Sequence, residues 1–214
     1  MPIKHCTWLF DLDNTLHDAS PHIFPHINLS MREYIERHLG VDSHEATRLR
    51  QHYWDRYGAT LTGLMRHHDI DPHHFLRETH RFEDLPAMAL FEPGLAETLR
   101  RLPGRKILFS NAPRRYAETL LRLAGIRRLF CAVYSIECLR FRPKPAIGGF
   151  LHLLRREGLD PRRCIMVEDS LGNLKTAKRL GMKTVWVSAG LRRPPCVDVC
   201  IDRLRRLPEM LGRL

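Results

Sequence analysis

The sequence predicts an α/β fold: a parallel sheet core with helices on both faces and an inserted all-helical cap. Three observations carry this. Short apolar runs recur: Trp8-Leu9-Phe10, Lys106-Ile107-Leu108-Phe109, Ala132 to Ile136, Cys164-Ile165-Met166-Val167 and Thr184-Val185-Trp186-Val187. From Glu92 onward, segments of helical length and period separate these runs. From Ser20 to about Ala89 the alternation stops, and every segment there reads as a helix. Strands spaced by helices need crossover connections, which make neighbours parallel and cover the sheet on both sides. The expected division is 1–16 with 92–214 for the α/β core, and 17–91 for the helical insert.

Each element has its own stop and start signals. In the helical segment, helices are expected over Pro21–Leu39 (ended by Gly40), Ser43–Tyr57, Thr60–His68 and Pro72–His80, with Asp71-Pro72 as cap and first-turn pair. In the core, Pro93–Leu102 is amphipathic. Pro113 suits a first helical position in a helix that Gly125 stops, and a further helix covers about Ala146–Glu157. Ser170 is placed to cap a last helix ending before Gly181. Gly148-Gly149 weakens its helix start by roughly 1 kcal/mol per glycine.

Composition narrows the function classes. With 214 residues, 43% of them hydrophobic, the chain can bury a sizeable core. No apolar run approaches a membrane span, and Met1 to His5 leaves no room for a signal peptide, so a cytoplasmic protein with no membrane partner is expected. The six cysteines include no C-x-x-C pair, which favours free thiols over disulfides or zinc. A net charge of +11 fits either a nucleic-acid binder or a basic enzyme that collects an anionic substrate. The arginine pairs, from Arg100-Arg101 to Arg205-Arg206 and including Arg192-Arg193, are dispersed without interleaved aromatics, which makes nucleic acid the less favoured partner.

Four stations along the chain carry chemistry. Asp11 and Asp13 follow the first strand one residue apart and can project to the same side. Two carboxylates about 4 Å apart repel by roughly 4 kcal/mol at an effective dielectric near 20, so they call for a cation, a shared proton or water. Ser110-Asn111 stands between a strand and a helix N-terminus, where free N–H groups and a hydroxyl make either a small anion cradle or an ordinary cap. Lys144, held between Pro143 and Pro145, can neutralise a phosphate and a carboxylate together. Glu168-Asp169 ends another apolar strand and can meet the first acids at the same sheet edge. Oxygen donors gathered in this way select Mg²⁺.

In this order, strand-D-x-D, strand-S-N, loop lysine and strand-E-D, the chain resembles the haloacid dehalogenase-like hydrolase superfamily over nearly its whole length. The matching motifs are Phe10-Asp11-Leu12-Asp13-Asn14-Thr15-Leu16, Phe109-Ser110-Asn111, Lys144-Pro145, and Val167-Glu168-Asp169-Ser170 with Asn173. The resemblance implies a Rossmann-like core and a Mg²⁺-dependent phosphatase of small phosphate monoesters. It assigns Asp11 as nucleophile and Asp13 as general acid and base. Asp11, Asp169 and the Asp13 backbone carbonyl would hold the metal, Ser110, Asn111 and Lys144 the phosphate, and Glu168 would support Lys144 or a metal-bound water. Ile23-Phe24, Met31 to Ile35, Tyr57 to Leu64, Leu102 to Lys106 and Asn111-Ala112-Pro113 are similar to the pyrimidine 5′-nucleotidase branch. That likeness implies a nucleoside monophosphate substrate, with Phe24 and Thr62 as cap contacts. His17 departs from it, standing where an aromatic residue is expected.

Rival readings stay open at this level. They are a phosphatase of sugar or nicotinamide phosphates, a phosphomutase, a 2-haloacid dehalogenase and a basic RNA-associated protein. His67-His68 and His73-His74 are expected to be solvated or substrate-facing, since adjacent histidines on a helix diverge. Tyr53, Trp54 and Tyr57 are expected in the core of the helical segment.

Overall fold

The computed structural model describes residues 6–190 and 194–214; Met1 to His5 and the Arg192-Arg193 pair lie outside them. Strand β1 (Thr7–Phe10) is followed by helices α1 (Ile23–Leu39), α2 (Ser43–Tyr57), α3 (Thr60–His67), α4 (Pro72–Thr79) and the single turn α5 (Leu85–Met88). Then come α6 (Leu95–Arg101), β2 (Arg105–Phe109), α7 (Arg114–Leu123), β3 (Ala132–Tyr134), α8 (Ile147–Glu157), β4 (Cys164–Glu168), α9 (Leu171–Arg179), β5 (Lys183–Val187) and β6 (Val199–Ile201). The strands form one six-stranded sheet in the order β3-β2-β1-β4-β5-β6, and every adjacent pair is parallel.

Strand alternation divides the core in two. Trp8, Phe10, Leu108 and Val167 face one side, packed with Leu99 of α6 and Leu120 of α7. Leu9, Ile107, Phe109 and Met166 face the other, packed with Phe150 of α8 and Leu174 of α9. A third cluster, including Tyr34, Tyr53, Leu64 and Phe75, belongs to the helical segment between β1 and β2 and takes in Ile136 from the sheet side. No helix among the described residues is long and apolar enough to cross a membrane.

Several local expectations need correction. Pro113 is the N-cap of α7 rather than its first helical residue. Ser170 stands at the N-cap of α9, but its side chain makes no capping bond. Gly148-Gly149 is more than a weak helix start. A Cβ at Gly149 would lie 2.6 Å from the Arg142 carbonyl oxygen, so this close approach of two backbones needs glycine. Strand β6, a short run set between Asp198 and Asp202, and the single turn α5 were not among the expected elements. Asp71 does accept from the His73 N–H at 2.9 Å, as its pairing with Pro72 suggests.

Gly63 provides a test of how the helical segment packs. It is buried in α3, and a Cβ built there would clash with the Cβ, Cγ and Cδ1 atoms of Tyr53 on α2. We expect Gly63→Ala to lower stability by about 1–3 kcal/mol, because the overpacking outweighs the helix-propensity gain of up to about 1 kcal/mol. A denaturant midpoint that rises instead would contradict this packing.

Candidate active site

The sheet register sets the site. Phe10 is level with Leu108 on one side and Val167 on the other. The next residue along each strand is therefore Asp11, Phe109 or Glu168, and the Asp11 N–H donates to the Val167 carbonyl at 3.0 Å. Asp11 thus leaves the sheet beside the Glu168-Asp169 pair at the carboxyl ends of the central strands, where open α/β sheets bind ligands. Leu12 turns back into the core and Asn14 takes a left-handed φ of 58°, which reverses the chain after Asp13.

Lys144 is the charge centre. Its side chain is 1% exposed, and Nζ donates to Asp11 Oδ1 and to Glu168 Oε2, both at 2.7 Å. An ammonium has three donors, so one is left for an incoming oxygen. Asn111 positions this lysine: its Oδ1 accepts from the Lys144 N–H at 2.8 Å, and its Nδ2 donates to the Lys144 carbonyl at 2.9 Å. That reciprocal pair occupies the Asn111 side chain, while its backbone N–H has no acceptor among the described residues. Buried Ser110 accepts from the Ala112 N–H through Oγ at 3.0 Å, which leaves its own hydroxyl proton free to donate. Asn173 Nδ2 donates to Glu168 Oε2 at 2.9 Å, and Thr176 Oγ1 donates to the Pro145 carbonyl at 2.8 Å. Thr176 was not legible as a site residue, because a threonine inside a helix carries no positional signal.

Carboxylate oxygens of Asp11, Glu168 and Asp169 lie within 4.8 Å of one another. Three hard oxygen donors at one sheet edge fit Mg²⁺, which takes one or two carboxylates together with waters and substrate oxygens. The Asp13 carboxylate is not part of this group. Its Oδ1 accepts from Tyr116 at 2.6 Å and is 2.8 Å from His17 Nε2. Burial pushes the carboxyls of Asp11 and Glu168 up to about 7. Mutual repulsion adds to this for Asp11, and Lys144 opposes it for both. Asp169 is raised as well, mainly by burial. Burial works against the Lys144 charge, but the Asp11 and Glu168 carboxylates outweigh it and raise the ammonium.

Over these groups lies a cavity of about 570 Å³, lined below by Asp11, Asp13, Ser110 and Lys144 and above by residues of α1 to α4. Phe24 and Thr62 both line it. Trp54 corrects an expectation. It is 56% exposed and faces the cavity, whereas its neighbour Tyr53 is in the core. Arg50 stands one helical turn before Trp54 and donates to Asn28 Oδ1 at 3.0 Å, with no ion-pair partner among the described residues. His67, His68 and His74 pair with Tyr57, Tyr53 and Tyr34 at 2.8, 2.7 and 2.9 Å. The histidine that lines the cavity is His80, which the sequence did not single out and which burial pushes down to about 4.

Comparison with known proteins places this arrangement. The haloacid dehalogenase-like hydrolase profile matches residues 7–181. The chain belongs to the haloacid dehalogenase-like hydrolases. Phosphate metabolism protein 8 of Saccharomyces cerevisiae is 27% identical over 82% of this chain and 59% of its own length. Phosphoglycolate phosphatase of Agrobacterium fabrum is 31% identical over 67% of this chain and 64% of its own. The chain thus spans less than two-thirds of either relative's length. The crystal structure of a HAD phosphatase from Thermococcus onnurineus superposes with a TM-score of 0.69 at 25% identity, covering 97% of this chain and 98% of that one.

Proposed function

We infer that this haloacid dehalogenase-like hydrolase is a Mg²⁺-dependent phosphatase of small phosphate monoesters, with residues 17–91 acting as a cap over the core formed by 1–16 and 92–214. The observation that carries the reading is the meeting of Asp11, the buried Lys144 ammonium and the Ser110-Asn111 turn at one cavity. In this mechanism Asp11 uses the oxygen not bound to Lys144. That oxygen bonds to phosphorus, the ester P–O bond breaks, and Asp13 gives its proton to the leaving alkoxide. Water then attacks the aspartyl phosphate, Asp13 takes the proton, and phosphate leaves with Asp11 regenerated. The third donor of Lys144, the Ser110 hydroxyl and the Asn111 N–H stabilise charge developing on the phosphoryl oxygens. When bound by Asp11, Asp169 and the Asp13 carbonyl, Mg²⁺ supplies charge neutralisation. Halide departure needs no proton, so an engaged Asp13 favours the phosphatase over a dehalogenase.

A narrower reading, pyrimidine nucleoside monophosphates, is favoured by the exposed indole of Trp54. It offers a stacking face beside the Arg50 donors, in a cavity of about 570 Å³ that has room for a base and ribose.

One experiment tests both levels. A panel of phosphate esters is assayed with Mg²⁺ and with chelator. We expect hydrolysis only with Mg²⁺, and higher kcat/KM on uridine or cytidine monophosphate than on adenosine or guanosine monophosphate. Phosphoglycolate or a sugar phosphate as the best substrate would remove the nucleotidase reading alone. Full activity in chelator would remove the metal-dependent phosphatase. The same metal should raise Tm more at pH 8 than at pH 6, because below about pH 7 its carboxylate ligand Asp11 and the neighbouring Glu168 hold protons that binding must expel.

A further inference from the structure

We propose that His17 and Tyr116 are positioning residues for Asp13, tying down Oδ1 so that Oδ2 faces the leaving group. The inference rests on the phosphatase reading and concerns residues that neither the motifs nor the family match assigns.

Both contacts are short and enclosed. The Tyr116 hydroxyl donates to Asp13 Oδ1 at 2.6 Å, and His17 Nε2 lies 2.8 Å from the same oxygen. The tyrosine hydroxyl and that ring nitrogen are themselves 3.4 Å apart, which closes a three-membered cluster. The His17 side chain is 0% exposed, against 19% for Asp13. No protein group bonds Asp13 Oδ2 among the described residues. A carboxylate with one oxygen held from two directions cannot rotate freely about its last torsion, so its other oxygen keeps one heading. General acid catalysis needs that heading, because the proton must lie within hydrogen-bond reach of the leaving oxygen.

The cluster is itself braced. Asp13 and His17 form a β-bridge across the turn that Asn14 makes. Asp18 then bridges to Leu90, joining the chain where it enters and leaves the helical segment. Phe91, just after that exit, lies 5.9 Å from the His17 ring. Tyr116, from α7, stacks on Phe82 at 5.5 Å and meets His80 edge-on at 5.8 Å. The rings that hold Asp13 are therefore packed by residues from the last stretch of the helical segment and its exit.

The leaving group distinguishes positioning from mere stability. An alkyl ester such as glycerol phosphate needs its leaving oxygen protonated, whereas p-nitrophenolate leaves without help. Tyr116→Phe, which keeps the ring on Phe82, and His17→Leu should each cut kcat/KM for glycerol phosphate by about tenfold or more, within the range general acids contribute. Loss on p-nitrophenyl phosphate should stay within about threefold, and KM should change little. His17→Gln, which restores a donor near the Nε2 position, should recover most of the alkyl ester rate. Equal losses on both esters, or no loss on either, overturn the proposal while leaving the phosphatase reading intact. A wild-type protein that hydrolyses neither ester overturns both. The two single variants carry the test independently, so misfolding of one does not remove it.

Discussion

Replacing Asp11 with Asn should abolish turnover while leaving the fold in place. Asp11 ends β1 with its N–H in the sheet ladder, and one carboxylate oxygen is held by Lys144. An amide of the same shape can keep the ladder bond and still accept from the ammonium through its oxygen. It cannot form the acyl phosphate, so the covalent route closes. We expect kcat to fall by at least about a thousandfold, a loss of roughly 4 kcal/mol of transition-state stabilisation. Removing a buried carboxyl raised to about 7 also removes a repulsive partner of Glu168, so Tm should hold or rise. Burst experiments that trap phosphate on the variant, or activity above a few per cent of wild type, would sink the nucleophile assignment.

Lys144→Met should show the largest effect on stability. The lysine is buried with Asp11 and Glu168 at 2.7 Å each, and the variant leaves two buried carboxyls without their cation. Breaking a buried ion pair from one side costs about 3–5 kcal/mol, above the roughly 0.5–3 kcal/mol of most single substitutions. The pH dependence has a definite sign. Without the ammonium, both carboxyls move above the value of about 7 that they have beside it, further from their unfolded values. A raised carboxyl destabilises the folded state at high pH and recovers as pH falls and the proton is taken up. The deficit against wild type should therefore be greatest at pH 8 and shrink towards pH 5. Denaturant titrations at both values measure it, and a deficit that is constant or below about 1 kcal/mol would contradict the charge-centre role of Lys144. On the proposed mechanism turnover should be lost at every pH, since the ammonium would also face the phosphoryl group.

Much of this is legible in the sequence because the signals are local. Apolar runs such as Trp8-Leu9-Phe10 and Cys164 to Val167 read as buried strands from composition alone, and acids at their ends stand out against them. Gly40, Gly125 and Gly181 follow helix ends where expected, each with a positive φ that costs glycine nothing. Those two kinds of signal were enough for the element order apart from α5 and β6, the helical segment between the first two strands, and the set of acids, lysine and Ser110-Asn111 turn.

What the sequence could not decide is which non-local groups meet, because strand periodicity specifies a face but not a neighbour. Only the pairing of β1 between β2 and β4 brings Asp11 level with Glu168, with Lys144 across from both. Whether the Asn111 side chain would bind a ligand or clip the Lys144 backbone depended on a loop 33 residues away. Trp54 and Tyr53 are adjacent and similar in hydrophobicity, and only the packing of α2 on α3 sends one into the core and the other to the cavity. Tyr116 reaches Asp13 from 103 residues along the chain. The sequence by itself therefore determined the elements and the inventory of reactive groups. Tertiary structure alone decided their partners, since contacts closed across long loops leave no periodic trace in the residues that make them.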